Sequence, residues 1–482
     1  MMRKLIFTTI LFLSITANAH SVSEQATEKY FATIKNDPKQ LDIFLKTMPK
    51  GGDLHNHLGG ASMAENMIRY AKNDHLCINK QTLSTQEQAA CCPAYRLENL
   101  LHYPHLYNAT IDAWSMRNFH SDKESGHDHF FATFEKYAPI LVKHRREMIS
   151  EVVKKACAQN SLYLELMITP DNNASGLLGK QVGWNPNLRL LRKTLLNHGL
   201  GPIVSKMSEQ LDNDEKVKAC RDFKLRYLYQ VLREQPPAQV FAQLLAGFEL
   251  ASKDARVLGI NIVQPEDGKI AMRDYTRHMR MIAFLHGLYP KVHISLHAGE
   301  LNTDLVPASG LRFHIRQAVE IAHANRIGHG IDIQQETNSS SLLKEMARKH
   351  ILVEINLSSN EAILGIKGKA HPILLYRHYK VPVALSTDDQ GILRTNLTEQ
   401  YKKAILSYNF SYLTLKNLAR NSIAYSFLLG KSLWEDDQYH QRVPACRNSF
   451  SHRCQYFLEA NEKAQLQWVL ENQFLKFEKQ FK

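Results

Sequence analysis

Two histidines two positions apart, His55 and His57, are the first residues of this sequence whose type and spacing could do chemistry. They lie in residues 53–60 (DLHNHLGG), a run that follows the turn formers of residues 50–52 and is typical of a β-strand. Residues two apart on a strand point to the same face, so both imidazoles can reach one metal ion. A single His-x-His pair is a weak signal and needs further ligands from elsewhere in the chain.

Further candidate groups occur where other predicted strands end. They are His297 and Glu300 in the segment HAGE, then His329, and finally the neighbouring pair Asp388 and Asp389. Each has a simpler explanation by itself, because paired aspartates at a strand end are often helix N-caps. Their joint occurrence at strand ends predicts one metal site.

Three imidazoles and one carboxylate suit zinc, which would acidify a water molecule and supply a nucleophile at neutral pH. Attack on an unsaturated C=N carbon also requires an acid that protonates the ring nitrogen, and Glu300, three residues after His297, is placed for this task. His329 and Asp389 suit the handling of the water. The two adjacent aspartates then have different roles, with Asp388 on the metal and Asp389 directed toward the water or the substrate.

Eight short apolar segments, separated by helical patterns, are the elements that must position these residues. The first carries His55, and the others are residues 162–168, 225–232, 257–263, 292–297, 326–329, 351–357 and 381–387. Eight strands alternating with helices predict an α/β fold, a closed parallel (β/α)8 TIM-type barrel. A doubly wound open sheet is the alternative, but no Gly-x-Gly-x-x-Gly follows the first strand.

The termini predict regions outside the barrel. Arg3 and Lys4 precede an apolar run and a small-x-small cleavage site at residues 17–19, which indicates a secretory signal peptide and an exported, periplasmic or secreted protein. No later segment is long enough to span a bilayer. The predicted regions are a signal peptide (1–19), a helical lead-in (20–47), the barrel (48–430) with an irregular insertion after strand one (about 74–107), and a helical C-terminal tail (431–482).

Charge and composition exclude some classes of partner. The chain of 482 residues is 44% hydrophobic and 22% charged, which describes a soluble globular protein. Its net charge is +13, but the lysines and arginines are scattered and form no basic block with interleaved aromatics. We therefore expect no nucleic-acid partner and, after signal removal, no membrane partner.

Seven cysteines in an exported chain can form disulfides. Cys446 and Cys454 could close a small C-terminal loop, and Cys77 could pair with Cys91 or Cys92. Apolar surroundings at Cys157 and a strand start near Cys220 predict buried free thiols at these two positions.

A second His-x-His pair, His127 and His129, precedes Phe130 at the start of a predicted helix. Residues two apart on a helix do not share a face. We therefore expect polar surface residues here and no metal site.

Four sequence blocks together resemble the signature of the adenosine deaminase family. They are residues 48–57 (MPKGGDLHNH), 297–300 (HAGE), 328–330 (GHG) and 386–389 (STDD), and the resemblance extends over about residues 48–430. The signal peptide and the MPKG start are similar to those of the secreted, growth-factor-related branch of that family.

The resemblance implies hydrolytic deamination of adenosine and 2′-deoxyadenosine to the inosine product and ammonia, with one zinc ion per chain. It implies zinc ligation by His55, His57, His297 and Asp388, and proton donation from Glu300 to the purine N1. It also assigns the water and the substrate to His329 and Asp389, and contacts to the purine nucleoside to His57, the backbone of Gln264, and Asp389.

Some positions depart from the family pattern. Gly59 stands where many relatives have an aspartate near the ribose, residues 261–266 (NIVQPE) replace the usual Asp-Leu-x-Gly-x-Glu, and Gln390 replaces a common proline. These changes leave sugar recognition open. The alternatives are therefore a deaminase of another 6-aminopurine (adenine, an N6-substituted purine or a nucleotide), or a secreted adenosine-binding or signalling protein with incidental catalysis. The sequence also leaves oligomeric state open.

Overall fold

Parallel strands form the centre of the structure, a computed structural model that describes residues 22–87, 95–214 and 216–481. In these residues the strands are β1 (Gly52–His57), β2 (Cys77–Ile78), β3 (Thr85–Gln86), β4 (Tyr163–Ile168), β5 (Lys224–Leu232), β6 (Val257–Val263), β7 (His293–Ala298), β8 (Arg326–His329), β9 (Leu352–Ile355) and β10 (Val383–Leu385). Eight of them, β1 and β4 to β10, pair in sequence order, and each pair is parallel.

The sheet closes where β10 meets β1. A parallel bridge joins Asn56 to Asp388, in which Asp388 N donates to His55 O at 2.8 Å and His57 N donates to Asp388 O at 3.3 Å. The predicted (β/α)8 barrel is therefore confirmed. Its closing contact involves one predicted metal ligand and the main chain of two others.

Helices surround the strands as the periodic apolar pattern predicts. Among the described residues, none of them combines the length and the apolar character needed to cross a membrane. The α-helices are α1 (Val22–Ile34), α2 (Pro38–Thr47), α3 (Leu58–Ala61), α4 (Ala64–Asn73), α5 (Pro104–Ala113), α6 (Gly126–Lys143), α7 (Arg145–Ala158), α8 (Ala174–Val182), α9 (Leu188–Leu195), α10 (Gly201–Asp214), α11 (Pro237–Lys253), α12 (Lys269–Leu288), α13 (His314–Glu320), α14 (Ser339–Arg348), α15 (Leu357–Leu364), α16 (Ile373–His378), α17 (Leu397–Tyr408), α18 (Tyr412–Ala424), α19 (His452–Ala460) and α20 (Glu462–Glu478).

The two ends of the described chain pack together against α18. Lys416 of α18 is buried and forms ion pairs with Glu24 of α1 and Glu478 of α20. Phe44 of α2 packs edge-on against Phe477 of α20, with ring centroids 5.0 Å apart. The insertion after β1 contains the antiparallel hairpin of β2 and β3 and a 3-10 helix at Leu97–His102.

The prediction of free thiols at Cys157 and Cys220 is wrong, because these residues form a disulfide with a Cα–Cα distance of 5.8 Å. Cys157 lies in α7, shortly before β4, and Cys220 lies shortly before β5. The two strands are neighbours, and Lys224 N donates to Leu162 O at 2.9 Å. The segments that enter them therefore come within disulfide distance.

Among the described residues, the other cysteines agree with the pairing predicted from the sequence. Cys446 and Cys454 form the predicted disulfide, with a Cα–Cα distance of 4.5 Å. Cys77 is also disulfide-bonded. Its two predicted partners, Cys91 and Cys92, lie outside the described residues.

Removing the Cys157–Cys220 disulfide should cost more stability than removing Cys446–Cys454. The first bond joins residues 63 apart and the second joins residues 8 apart, so their loop-closure terms are about 4 and about 2.5 kcal/mol. Urea unfolding of the two double Cys→Ala variants measures the difference. An equal or smaller loss for the Cys157/Cys220 variant would contradict this account.

Candidate metal centre and active site

Four barrel strands end in residues with a left-handed backbone. Gln264 after β6 has φ +80°, Gly299 after β7 has +77°, His329 at the end of β8 has +67°, and Asp388 after β10 has +58°. Such values are uncommon for residues other than glycine and are concentrated at functional sites. The chain therefore turns sharply at each of these strand ends, and all of them belong to the predicted site or adjoin it.

The four predicted metal ligands meet at the mouth of the barrel. The Nε2 atoms of His55, His57 and His297 lie 3.1 to 3.2 Å from one another. Asp388 Oδ1 lies 3.3 Å from His57 Nε2 and 3.5 Å from His55 Nε2. All four side chains are buried. Segments from β1, β7 and β10 therefore bring their ligand atoms to one point.

This donor set fits a zinc ion. Four ligands about 2.0 to 2.1 Å from a tetrahedral metal are about 3.3 Å apart, which is the spacing between these atoms. Asp388 Oδ1 is buried and has no hydrogen-bond partner within the described part of the chain. Although burial opposes it, Asp388 and Glu354 raise the pKa of His55 to about 10. The carboxylates of Asp388 and Glu354 therefore favour a positive charge at the ring of His55.

Each of the three histidines has a hydrogen-bond acceptor behind its ring. Nδ1 of His55 lies 2.6 Å from Glu354 Oε2. Nδ1 of His57 lies 3.0 Å from Gln230 Oε1, and Nδ1 of His297 lies 2.7 Å from Asn261 Oδ1. These contacts place the ring proton on Nδ1 and leave the Nε2 lone pair free for the metal.

Glu354 is itself held in place inside the barrel. Its Oε1 accepts a hydrogen bond from Ser295 Oγ at 2.8 Å and pairs with Arg326 Nε at 2.7 Å. Arg326 also pairs with Glu165, and its guanidinium lies 3.7 Å from the ring centroid of Phe427. This network fixes the carboxylate that orients His55.

The predicted acid and base groups lie beside the metal ligands. Burial, together with the charges of Asp388 and Glu266, raises the pKa of Glu300 well above its usual range, so Glu300 can hold a proton for donation. Burial and Asp388 likewise raise the pKa of Asp389. Glu300 Oε1 lies 3.3 Å from His329 Nδ1, and His329 Nε2 lies 3.8 Å from Asp388 Oδ2.

Main-chain contacts hold these groups in position. Glu266 accepts hydrogen bonds from Gly299 N at 3.0 Å and Glu300 N at 2.8 Å, which fixes the turn that carries Glu300. A Cβ on Gly60 would lie 2.0 Å from Asp389 Oδ1. Gly60 therefore leaves the space that Asp389 needs.

Two positions that depart from the family pattern have clear structural consequences. Gln264 keeps a backbone conformation that favours glycine, and its Oε1 accepts a hydrogen bond from Glu234 N at 2.9 Å, so its side chain bends toward the residues after β5. A Cβ on Gly59 would have Phe134 and Leu141 of α6 as its nearest neighbours, at 3.8 and 3.9 Å. The space beside the Gly59 Cα is therefore lined by apolar side chains, while Tyr137 Oη donates to the carbonyl oxygen of Gly59 at 3.3 Å.

The second His-x-His pair does not form a shared site. His127 contacts Asp267 at 3.0 Å, and His129 contacts Glu124 at 2.6 Å. The expectation of surface residues is wrong, because the two side chains are 13% and 12% exposed. Phe131 packs on the ring of His127 and Phe119 on that of His129.

The hydrogen-bond acceptors at Nδ1 of the three ligand histidines were not predicted from the sequence. Gln230, Asn261 and Glu354 are polar residues inside otherwise apolar strand segments. A buried polar residue needs a partner, so an isolated polar residue in an apolar barrel strand is the signal that could have indicated them.

The fold and the site define an α/β-barrel protein with a candidate metal centre at the C-terminal ends of its strands, where barrel enzymes carry their active sites. The profile of the adenosine deaminase family matches residues 103–433, more than half of the chain, and the chain belongs to this family. Membership of the secreted, growth-factor-related branch stays a prediction.

Curated relatives include deaminases with different substrates in their names. The adenosine deaminase of Clostridium perfringens is 32% identical over 28% of this chain, and the alignment spans only 37% of that enzyme. The adenosine deaminase of Clostridium kluyveri is 23% identical over 80% of this chain and 92% of its own length. The adenine deaminase of Rhizobium leguminosarum is 23% identical over 62% of this chain and 82% of its own length.

Solved structures share the fold at low identity. Arabidopsis ADAL complexed with IMP has a TM-score of 0.57 at 19% identity, covering 89% of this chain and 98% of that one. The Arabidopsis N6-mAMP deaminase MAPDA has the same TM-score and identity, with coverage of 89% and 99%. An amidohydrolase from Burkholderia ambifaria with bound Zn has a TM-score of 0.52 at 17% identity, with coverage of 89% and 94%.

Replacing Glu354 by Gln should lower zinc affinity by about 10- to 100-fold, because the amide no longer offers His55 a charged acceptor. Competition with a chromophoric chelator measures the affinity. Glu336→Gln is the matched control: Glu336 is also buried, but its Oε1 accepts from Arg316 N, away from the ligand histidines. A folded Glu354→Gln protein with unchanged zinc affinity would show that Glu354 does not support the metal.

Proposed function

We propose that this protein is a zinc-dependent hydrolase that deaminates adenosine, and also 2′-deoxyadenosine, to the inosine product and ammonia. One observation carries the proposal. The Nε2 atoms of His55, His57 and His297 and the Oδ1 atom of Asp388 lie at zinc-ligand spacing, beside the protonatable carboxyl of Glu300.

Each residue then has a defined task in the reaction. A bound zinc ion would supply the Lewis acidity that makes water nucleophilic at neutral pH. Glu300 donates its proton to N1 of the purine while C6 becomes tetrahedral, and Asp389 accepts the proton of the attacking water. The positive charge of a bound metal ion would favour the ionised carboxylate of Asp389, which is the form that accepts this proton. Asp389 then returns its proton to the 6-amino group, which leaves as ammonia, and the proton of the C6 hydroxyl passes to Glu300 as the C6 carbonyl of the product forms.

The charged residues near the strand ends favour an uncharged nucleoside over a nucleotide. Arg233, directly after β5, is buried and donates to the carbonyl oxygens of Ile262 and Val263. Arg394, which follows β10, binds both carboxylate oxygens of Glu65 at 2.9 and 3.0 Å. Arg394 would give up its ion pair with Glu65 to bind a phosphate. Arg233 has an unpartnered Nη1 among the described residues, but its side chain is buried and held by the two carbonyl oxygens.

A deaminase of adenine or an N6-substituted purine is the second candidate. The apolar side chains beside the Gly59 Cα, those of Phe134 and Leu141, favour a substrate with little polarity at that point. The Rhizobium relative is an adenine deaminase and one similar Arabidopsis protein is an N6-mAMP deaminase, so both act on 6-aminopurines.

Export completes the proposal. The N-terminal signal-peptide pattern supports it, and so do the Cys157–Cys220 and Cys446–Cys454 disulfides, since disulfides persist in oxidising compartments.

Glu300→Gln should reduce kcat/KM for adenosine by about 10²- to 10⁴-fold, because the amide keeps the shape of the carboxyl and cannot donate the proton. The decrease of adenosine absorbance in the ultraviolet measures the rate on zinc-loaded protein. Zinc content should be unchanged, and Glu336→Gln should retain activity. Full activity of a zinc-loaded Glu300→Gln protein would contradict the role of Glu300.

The same assay with adenosine, 2′-deoxyadenosine, adenine, AMP and N6-methyl-AMP identifies the substrate. We expect the two nucleosides to react and AMP to react at least about 10-fold more slowly, because a phosphate would need Arg394, which is paired with Glu65, or the buried Arg233. Turnover of adenine or N6-methyl-AMP alone would replace the leading candidate by the second. No turnover of any purine by zinc-loaded protein would support a binding protein instead.

A further inference from the structure

His329 differs from the three ligand histidines in what lies behind its ring. The other imidazoles face oxygen atoms that accept a hydrogen bond from Nδ1. Nδ1 of His329 faces the amide nitrogen of Asn360, at 2.9 Å. Glu300 Oε1 lies farther from this Nδ1, at 3.3 Å, and has no hydrogen-bond partner among the described residues. An amide nitrogen donates hydrogen bonds and does not accept them. The contact that fixes the ring proton is therefore reversed at His329.

A main-chain group behind Asn360 determines which way its amide points. Ile373 N lies 3.1 Å from Nδ1 of His371. A backbone N–H can only donate, so Nδ1 of His371 carries no proton and Nε2 carries it. His371 is buried, and burial lowers its pKa to about 4, which agrees with a neutral ring.

The second link joins His371 to Asn360. Nε2 of His371 lies 3.2 Å from Oδ1 of Asn360. Because this Nε2 donates, Asn360 must present its oxygen to His371 and its NH2 group to His329. Asn360 and His329 are both fully buried, so water does not compete for these groups. Nδ1 of His329 then accepts a hydrogen bond from Asn360, and the neutral ring carries its own proton on Nε2.

Asn356 also faces His329, and its contact must be compatible with the same tautomer. Its Nδ2 lies 3.4 Å from Nε2 of His329, and its Oδ1 is buried without a hydrogen-bond partner among the described residues. A neutral imidazole cannot accept at both ring nitrogens, so one of the two facing amides must turn over. The series of hydrogen bonds from Ile373 N through His371 fixes the amide of Asn360. Rotating the amide of Asn356 by 180° lets its unpartnered oxygen accept a hydrogen bond from Nε2 of His329.

We propose that His371 and Asn360 are positioning residues that fix His329 in the tautomer with its proton on Nε2. A ring nitrogen of His329 is near enough to form an alternative ligand set with His55, His297 and Asp388, and its Nε2 lies 3.8 Å from Asp388 Oδ2. A protonated nitrogen cannot bind a metal ion. The two residues thereby keep His329 out of the metal coordination and preserve it as a hydrogen-bond donor in the site. The kinetic consequence rests on the proposed deaminase function.

Asn360→Asp should reverse the tautomer of His329. The carboxylate has nearly the shape of the amide, still accepts from His371, and can only accept from His329, so the proton moves to Nδ1. Nitrogen NMR of zinc-loaded protein labelled with 15N-histidine reports this directly, with the His329 signals identified by their loss in His329→Gln. We expect an unprotonated Nδ1 and a protonated Nε2 in the unchanged protein, and the opposite in the variant.

Kinetics and two further variants complete the test. Asn360→Asp should lower kcat by about 10²-fold and change KM for adenosine much less. Asn421→Asp is the matched control; its amide binds Val383 O and Tyr439, near the start of β10, and both the tautomer and kcat should persist. His371→Leu, which frees the Asn360 amide, should give signals of both tautomers even if Asn360→Asp does not fold.

The nitrogen spectra decide the proposal independently of the substrate. A proton on Nδ1 of His329 in the unchanged protein, or an unaltered His329 tautomer in both variants, would overturn it. Failure of the unchanged protein to turn over any purine would overturn the proposed function and leave the spectral result intact.

Discussion

Three buried imidazole nitrogens 3.1 to 3.2 Å apart, with the Asp388 carboxylate 3.3 to 3.5 Å from two of them, are the arrangement on which the rest of this structure depends. Asp388, Asp389 and Glu300 lie close together in surroundings with little water, where neighbouring negative charges are costly. A cation between the histidines and Asp388 would relieve this cost. The raised pKa values of Glu300 and Asp389 follow from the same crowding.

The contacts that close the barrel also bring the candidate metal ligands together. Strand β1 supplies His55 and His57. Asp388, the third residue after the end of β10, takes part in the main-chain bridge that closes the sheet. Close approach also needs small residues. A Cβ on Gly328 would lie 2.6 Å from Cε1 of His55. Any change that loosens the seam between β1 and β10 therefore moves metal ligands directly.

The hydrogen-bond partners behind the imidazoles divide four neighbouring histidines into two kinds. Oxygen acceptors behind His55, His57 and His297 direct a lone pair toward the metal position. An amide donor behind His329 directs a protonated nitrogen there instead. The imidazoles at the candidate metal centre are thus oriented by neighbours that do not reach the metal position, as is common for metal sites.

The sequence by itself determined the eight barrel strands, because alternation of apolar segments with helical periods is a local property. It also determined which groups stand at strand ends, since a parallel barrel brings all of those ends to one mouth. The Cys157–Cys220 disulfide and the pairing of His55 with Glu354 were decided only by the tertiary structure. Their partners are 63 and 299 residues apart in the chain, and such pairs meet only because particular strands are neighbours. The direction of each ring proton depends on these distant contacts in the same way, so only folding selects it.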